Sequence, residues 1–206
     1  MVKVSGSLPA GQILMSQMPV SVMNPEGCGQ IQVEEKSVMR ISKSPWLLHY
    51  DGSSCNGCDI EVLAATTPRF DVERFGIINT GNPKHADIFL CTGGVNAQNQ
   101  DVVRQIYDQM PDPKVVLACG ICACDGGIFK ECYNILGGTD TVIPVDVYVP
   151  GCAVRPEAII DGVVKALQIL DDKKRRMKQE GYRSLTSEEY RKQLEEKKAG
   201  GVKADA

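Results

Sequence analysis

Aromatic residues are scarce, at 5% of the chain, and Trp46 is the one tryptophan. That leaves few platforms on which nucleobases could stack. An excess of positive charge is also missing. Lys and Arg number 23 against 26 Asp and Glu, a formal net charge of −3. No global field draws a polyanion, and no nucleic-acid partner is expected. Nowhere do about 18 apolar residues run together, so no segment is expected to span a membrane. Met1–Gln12 holds one Lys, no long apolar core and no twin-arginine pair, which excludes a recognisable export signal. The chain is therefore expected in the cytoplasm. What remains is a 206-residue chain that is 43% hydrophobic, enough for one core plus tails or for two small domains.

Cysteine, by contrast, is plentiful, with nine residues. Cytosolic thiols are held reduced and the count is odd, so a disulfide framework is not expected. Thiols at this density in an intracellular chain point to metal binding or redox chemistry. Lone cysteines such as Cys28 and Cys132 read as small packing residues.

Residues 1–43 show no sustained period. They mix Gly, Pro and Ser with Met1, Met15, Met18 and Met23, and read as an extended N-terminal arm that needs a partner surface to become ordered, or as a disordered leader. From Pro45 the pattern becomes α/β. Apolar runs at 46–50, 87–91, 114–118 and 143–149 predict strands, and 72–79 a further one. Segment 59–67 carries Ile60, Leu63 and Ala64 at helical spacing and stops at Pro68. Segment 98–110 places Val102, Val103, Ile106 and Tyr107 on one helical face, and 156–170 does the same with Ile159, Ile160, Val163, Ala166, Leu167 and Leu170. Strands alternating with helices imply a parallel sheet with right-handed crossovers and both faces covered. Beyond this 44–170 domain, residues 171–206 form a charged tail. Ten Lys or Arg and seven Asp or Glu lie between Asp171 and Lys198, which reads as a solvated helix, a frayed end or a helix laid on a partner.

The cysteines fall where such a sheet places its sites. Cys55 and Cys58 follow the first strand, Cys119, Cys122 and Cys124 follow the strand at 114–118, and Cys152 follows the last. All lie just past strand carboxyl ends, so three loops bring thiols to one rim. Cys-x-x-Cys on one loop lets two thiolates share an ion or cluster, and two single cysteines complete four ligands. Zinc and iron–sulfur clusters both accept such a set. A thioredoxin-like redox pair explains Cys55 and Cys58 but leaves Cys152 idle. The 61-position gap between Cys58 and Cys119, on α/β rim loops rather than hairpin knuckles, favours a cluster.

Three motifs stand in order: Gly52-Ser-Ser-Cys55-Asn-Gly-Cys58-Asp-Ile-Glu61, Gly120-Ile-Cys122-Ala-Cys-Asp-Gly126-Gly127-Ile-Phe129, and Val149-Pro-Gly-Cys152-Ala-Val-Arg155-Pro-Glu157. Arg69–Gly76 and His85-Ala-Asp87 fall between them. Over about residues 44–170 the chain resembles the small, electron-transfer subunit of membrane-bound energy-converting nickel–iron hydrogenases. That subunit is related to the cluster-bearing 20-kDa subunit of respiratory complex I. Complex I relatives carry adjacent cysteines at the first position, and Cys55-Asn-Gly-Cys58 takes the hydrogenase form.

The resemblance implies a flavodoxin-like domain holding one proximal 4Fe–4S cluster on Cys55, Cys58, Cys122 and Cys152. The family pattern Gly-x-Cys-Ala/Gly-x-x-Gly-Gly selects Cys122, where spacing alone leaves Cys119, Cys122 and Cys124 open. It also implies a large-subunit partner with a nickel–iron centre, a ferredoxin-like cluster subunit, and integral membrane subunits that move ions, with this chain peripheral on the cytoplasmic side. Glu61 is then a candidate proton relay and Arg155 a candidate stabiliser of the reduced cluster. The Gly57, Gly126 and Gly127 amides become candidate donors to cluster sulfur. His49 and His85 read as hydrogen-bonded structural histidines. Two rivals accompany this reading. One is a related oxidoreductase that passes electrons to a quinone, cofactor or sulfur compound, and the other is a zinc-binding or redox-adaptor domain.

Overall fold

A computed structural model describes residues 44–201. The expected N-terminal arm and Cys28 lie outside the described residues. Strands β1 (Trp46–Asp51), β2 (Ile78–Asn79), β3 (Ile88–Thr92), β5 (Val115–Cys119) and β7 (Val147–Val149) form one parallel sheet in the order β2-β1-β3-β5-β7. That is the doubly wound, flavodoxin-like arrangement, whose strand order reverses between β1 and β3. A short antiparallel ribbon pairs β4 (Val95–Asn96) with β6 (Ile135–Gly137). Helices α1 (Gly57–Thr66), α2 (Gln100–Gln109), α3 (Ile121–Asp125), α4 (Pro156–Glu180) and α5 (Ser187–Gly201) complete the chain.

The central strands explain themselves. Every residue of β3 and β5 is buried, as a strand covered on both faces requires. Alternate side chains then supply two cores. Ile88, Leu90, Val115 and Leu117 face Val62 of α1 and Ile159, Val163, Ala166, Leu167 and Leu170 of α4. Phe89, Cys91 and Val116 face Val103 and Tyr107 of α2. Gly162 lets α4 lie close against β7, because a Cβ there would meet Val149 at 2.4 Å.

Several expectations change. The segment 72–79 is a single 3-10 turn (Val72–Phe75) followed by the two-residue β2, and Pro144 confines the last strand to Val147–Val149. In α1 the stripe of Ile60 and Leu63 faces outward, both about 60% exposed, while Asp59, Val62 and Ala65 face the sheet. The helix expected at 156–170 continues to Glu180, its extension pinned where Lys173 reaches Asp146 at 2.8 Å. The charged end then turns at Gly181 and returns as α5 onto the same domain. Ser187 donates to Asp108 of α2 from both its amide (3.0 Å) and its hydroxyl (2.5 Å). Tyr107 and Tyr190 donate to the Leu185 and Asp140 carbonyls.

Candidate functional site

Two of the three loops at the strand carboxyl ends differ in character. The loop after β1 is tied by side chains. Asp51 Oδ1 accepts from the amides of Ser53 and Ser54 at 3.2 and 2.8 Å, and Ser53 Oγ donates to the Gly94 carbonyl at 2.6 Å. Beneath the loop lies Asp59, 7% exposed. Its carboxylate accepts from Thr92 Oγ1 at 2.5 Å, from His49 Nε2 at 3.0 Å and from the Ser54 hydroxyl. Ser54 Oγ also receives the Asn56 amide at 3.0 Å, which fixes the entry to α1. Burial alone would raise the Asp59 carboxyl. Hydrogen bonds from Ser54 and Thr92, with His49 alongside, outweigh it and hold the group below the ordinary carboxylate value. His49 is thus a hydrogen-bonded structural histidine. His85 sits exposed at the far end of the sheet against Trp46, ring centroids 5.5 Å apart.

The loop after β5 is tied by backbone instead. The Gly120 amide donates to Val149 O (2.8 Å), Ile121 to Gly151 O (2.9 Å), and Cys124 to Gly120 O (3.0 Å). Gly120, at φ +91°, has no Cβ because one would stand 2.6 Å from Cys58 Sγ. The same holds less tightly at two other thiols. A Cβ on Gly127 would lie 3.3 Å from Cys122 Sγ, and one on Gly57 3.5 Å from Cys55 Sγ. Cys58 and Cys122 therefore lie tight against glycines, whereas the 3.5 Å at Gly57 is ordinary contact. The Gly126 amide, expected to face cluster sulfur, donates instead to Cys122 O at 2.9 Å, because Gly126 closes the short helix α3.

The matched thiols reach the surface. Cys55 and Cys152 are exposed and Cys58 and Cys122 half-buried, whereas Cys91 and Cys119 are buried. Cys122 is raised by burial and then by the charges of Cys152, Cys55 and Cys58, which places those three within electrostatic reach of Cys122. Cys58 is pulled down to about 6, first by a hydrogen bond with Cys119 and, against burial, by the Val154 amide. Cys119 moves the opposite way, far up, through that bond and its burial. Cys124 places its sulfur 3.7 Å from the Ala118 carbonyl, and Cys132 lies exposed. Among the described residues no three His, Cys, Asp or Glu side chains gather as a single-ion site. Four cysteines brought to one rim, with the Cys58 thiol drawn down to about 6, fit the donor chemistry of an iron–sulfur cluster.

Glu61 is half-buried on α1, close enough for its charge to act on Cys58. Arg155 is exposed at the N-cap of α4. Sequence reasoning missed Asp59 and Gly120. Asp59 shares the inward stripe of Val62 and Ala65, three and six residues on. The signal for Gly120 was its place between a buried strand and a cysteine-bearing helix.

Comparison with known proteins follows the same lines. Residues 55–166 match the family model described as NADH ubiquinone oxidoreductase, 20 Kd subunit. The chain is similar to a probable membrane-bound hydrogenase subunit of Pyrococcus furiosus, 53% identical over 130 residues, which are 63% of this chain and 78% of that protein. It is also similar to formate hydrogenlyase subunit 7 of Escherichia coli, 42% identical over 134 residues, 65% of this chain and 52% of that protein. Among solved structures it resembles a chain of an archaeal membrane-bound sulfane sulfur reductase. Identity is 40% and the TM-score 0.58, covering 75% of this chain and 84% of that one.

Proposed function

We propose, from the premise that the chain belongs to the family of the NADH ubiquinone oxidoreductase 20 Kd subunit, that it is the electron-transfer small subunit of a ferredoxin-linked, energy-converting nickel–iron hydrogenase. The observation that carries this is the set of four thiols on three rim loops, two of them in a Cys-x-x-Cys pair, with Cys55, Cys58 and Cys152 within electrostatic reach of Cys122. Cys55, Cys58, Cys122 and Cys152 would hold one 4Fe–4S cluster, which supplies one-electron transfer when bound. The chain's own residues do the rest. Asp59 and Asp51 hold the first thiol-bearing loop in place. Gly120 admits Cys58 sulfur to the rim, and the Val154 amide donates to it.

The segments that carry the thiols also carry an apolar rim. Ile60 and Leu63 on α1, Ile121 on α3, and Ile128, Phe129 and Leu136 beyond it are all exposed. A hydrophobic surface of this kind around a redox site is a docking face, here for the large subunit with its nickel–iron centre. The assembly would add a ferredoxin-like cluster subunit and membrane subunits that translocate ions. No helix among the described residues is long and apolar enough to cross a membrane, so the chain would attach peripherally, on the cytoplasmic side. In this reading electrons from reduced ferredoxin reach protons and yield dihydrogen. Glu61 passes protons toward the large subunit, and Glu61→Gln slows dihydrogen turnover by roughly a hundredfold or more while leaving the cluster spectrum unchanged. Full turnover in that variant removes Glu61 from the path.

Likeness to a subunit of a sulfane sulfur reductase favours a second reading, in which a nickel-free large subunit hands electrons to a sulfur compound. Metal analysis of the anaerobically purified complex separates the two. Iron with near-stoichiometric nickel supports the hydrogenase, and iron without nickel moves the function to the second reading.

A further inference from the structure

The loops that follow β1 and β5 meet across a turn that holds no thiol, Gly93-Gly94 between β3 and β4. Gly93 takes φ +76°, and a Cβ on it would stand 2.5 Å from the Ser54 amide nitrogen, with Ser53 backbone atoms at 2.8 and 2.9 Å. The approach is backbone upon backbone, so no rotation of a side chain relieves it. Ser54 immediately precedes Cys55. Two hydrogen bonds draw the same stretch onto the turn. The Gly52 amide donates to the Thr92 carbonyl at 2.8 Å, and the Ser53 hydroxyl to the Gly94 carbonyl at 2.6 Å. Gly94 also faces the loop after β5, where a Cβ would meet the Cys122 carbonyl oxygen at 3.4 Å. One thickness of bare backbone therefore separates the segment leading into Cys55 from Cys122.

We infer that Gly93 is a positioning residue for the cluster: lacking a side chain, it lets the Ser53-Ser54 backbone settle on the turn after β3 and so sets how far Cys55 stands from Cys122. This rests on the proposed ligand roles of Cys55 and Cys122. Real Cβ atoms essentially never come within 3.0 Å of such neighbours. A methyl at Gly93 must therefore lift Ser53 and Ser54, because closely packed surroundings pass a displacement on rather than absorb it. The lift reaches Cys55 through one peptide bond and changes both the geometry at its iron and the access of solvent, which tune a cluster. Gly93→Ala removes no polar group and adds no charge, so whatever it does to the cluster it does through placement.

The test is EPR of the reduced intact complex, purified anaerobically, with Gly93→Ala, Gly94→Ala and Ser53→Ala beside the wild type. The relevant signal is the one that Cys122→Ser abolishes, and its decay in the presence of a ferrous-iron chelator is followed as well. Gly93→Ala keeps the signal but shifts its g values, and the decay runs roughly tenfold faster. Gly94→Ala, one residue on, where nothing would come nearer than 3.4 Å, matches the wild type in both. Unchanged g values or an unchanged decay in Gly93→Ala, or equal changes in Gly94→Ala, would overturn the inference. Where Gly93→Ala yields no signal, Ser53→Ala decides, since it removes the tie to the Gly94 carbonyl without adding bulk. A shifted signal in Ser53→Ala supports the placement, and a wild-type signal overturns it. A wild-type complex without the signal would defeat the ligand assignment itself, a result distinct from any of these.

Discussion

Two of the three loops that bring thiols to the rim, those after β1 and β5, are held by opposite means. The one after β1 depends on what its side chains carry: Asp51, Ser53 and Ser54 within it, and Asp59, Thr92 and His49 beneath. The one after β5 depends on what is missing from its side chains, since Gly120, Gly126 and Gly127 all take positive φ and the ties are backbone to backbone. The first loop therefore yields to deletion of a polar group and the second to addition of a methyl. Cys58 and Cys122, one from each loop, end up within reach of each other only because both devices work at once.

Gly120→Ala should break the comparison most severely. Its backbone lies in a region essentially reserved for glycine, at a strain of about 1–3 kcal/mol for any other residue, and the new Cβ would collide with Cys58 sulfur. We expect loss of most bound iron together with a lower thermal midpoint. Wild-type iron and stability in that variant would disprove the close approach.

Asp59→Ala comes next. It strands the donors of Ser54, Thr92 and His49 in a buried site, at about 1–3 kcal/mol, read by denaturant unfolding of the purified chain. The sign of its pH dependence follows from the depressed carboxyl. Its contribution is complete above the ordinary carboxylate value and is lost as pH falls through the lower folded one. Asp59→Asn should flatten that acid limb, whereas Gly120→Ala should leave its shape unchanged. An acid limb that persists in Asp59→Asn would assign it to another group.

The smallest effect on either loop belongs to Asp108→Ala, which removes both acceptors of Ser187. It should loosen α5 by about 1 kcal/mol, seen as faster amide exchange in that helix, with the cluster spectrum intact. A changed spectrum would couple α5 to the rim.

The fold was largely legible in the sequence because β3 and β5 are uninterrupted apolar runs, and α4 carries one apolar stripe along its core-facing turns. The first helix was misread because its apolar residues Ile60 and Leu63 serve a surface and its inward stripe opens with a carboxylate. Hydrophobic periodicity reports burial, and apolar residues that stay exposed, as Ile60 and Leu63 do, break the pattern. The candidate ligands were legible because three loops repeat one relation, a cysteine just past a strand. Asp59 was not, since its role arises from a contact 33 positions apart with Thr92, which no local motif encodes. The return of α5 onto α2 rests on one such contact too, Ser187 with Asp108.

Iron and acid-labile sulfide in the anaerobically purified complex, wild type beside Cys122→Ser, bear most directly on the claim that four rim thiols hold one cluster. The account predicts a deficit of about four iron and four sulfide per complex in the variant, with the partner subunits still bound. Undiminished iron and sulfide in Cys122→Ser would contradict it.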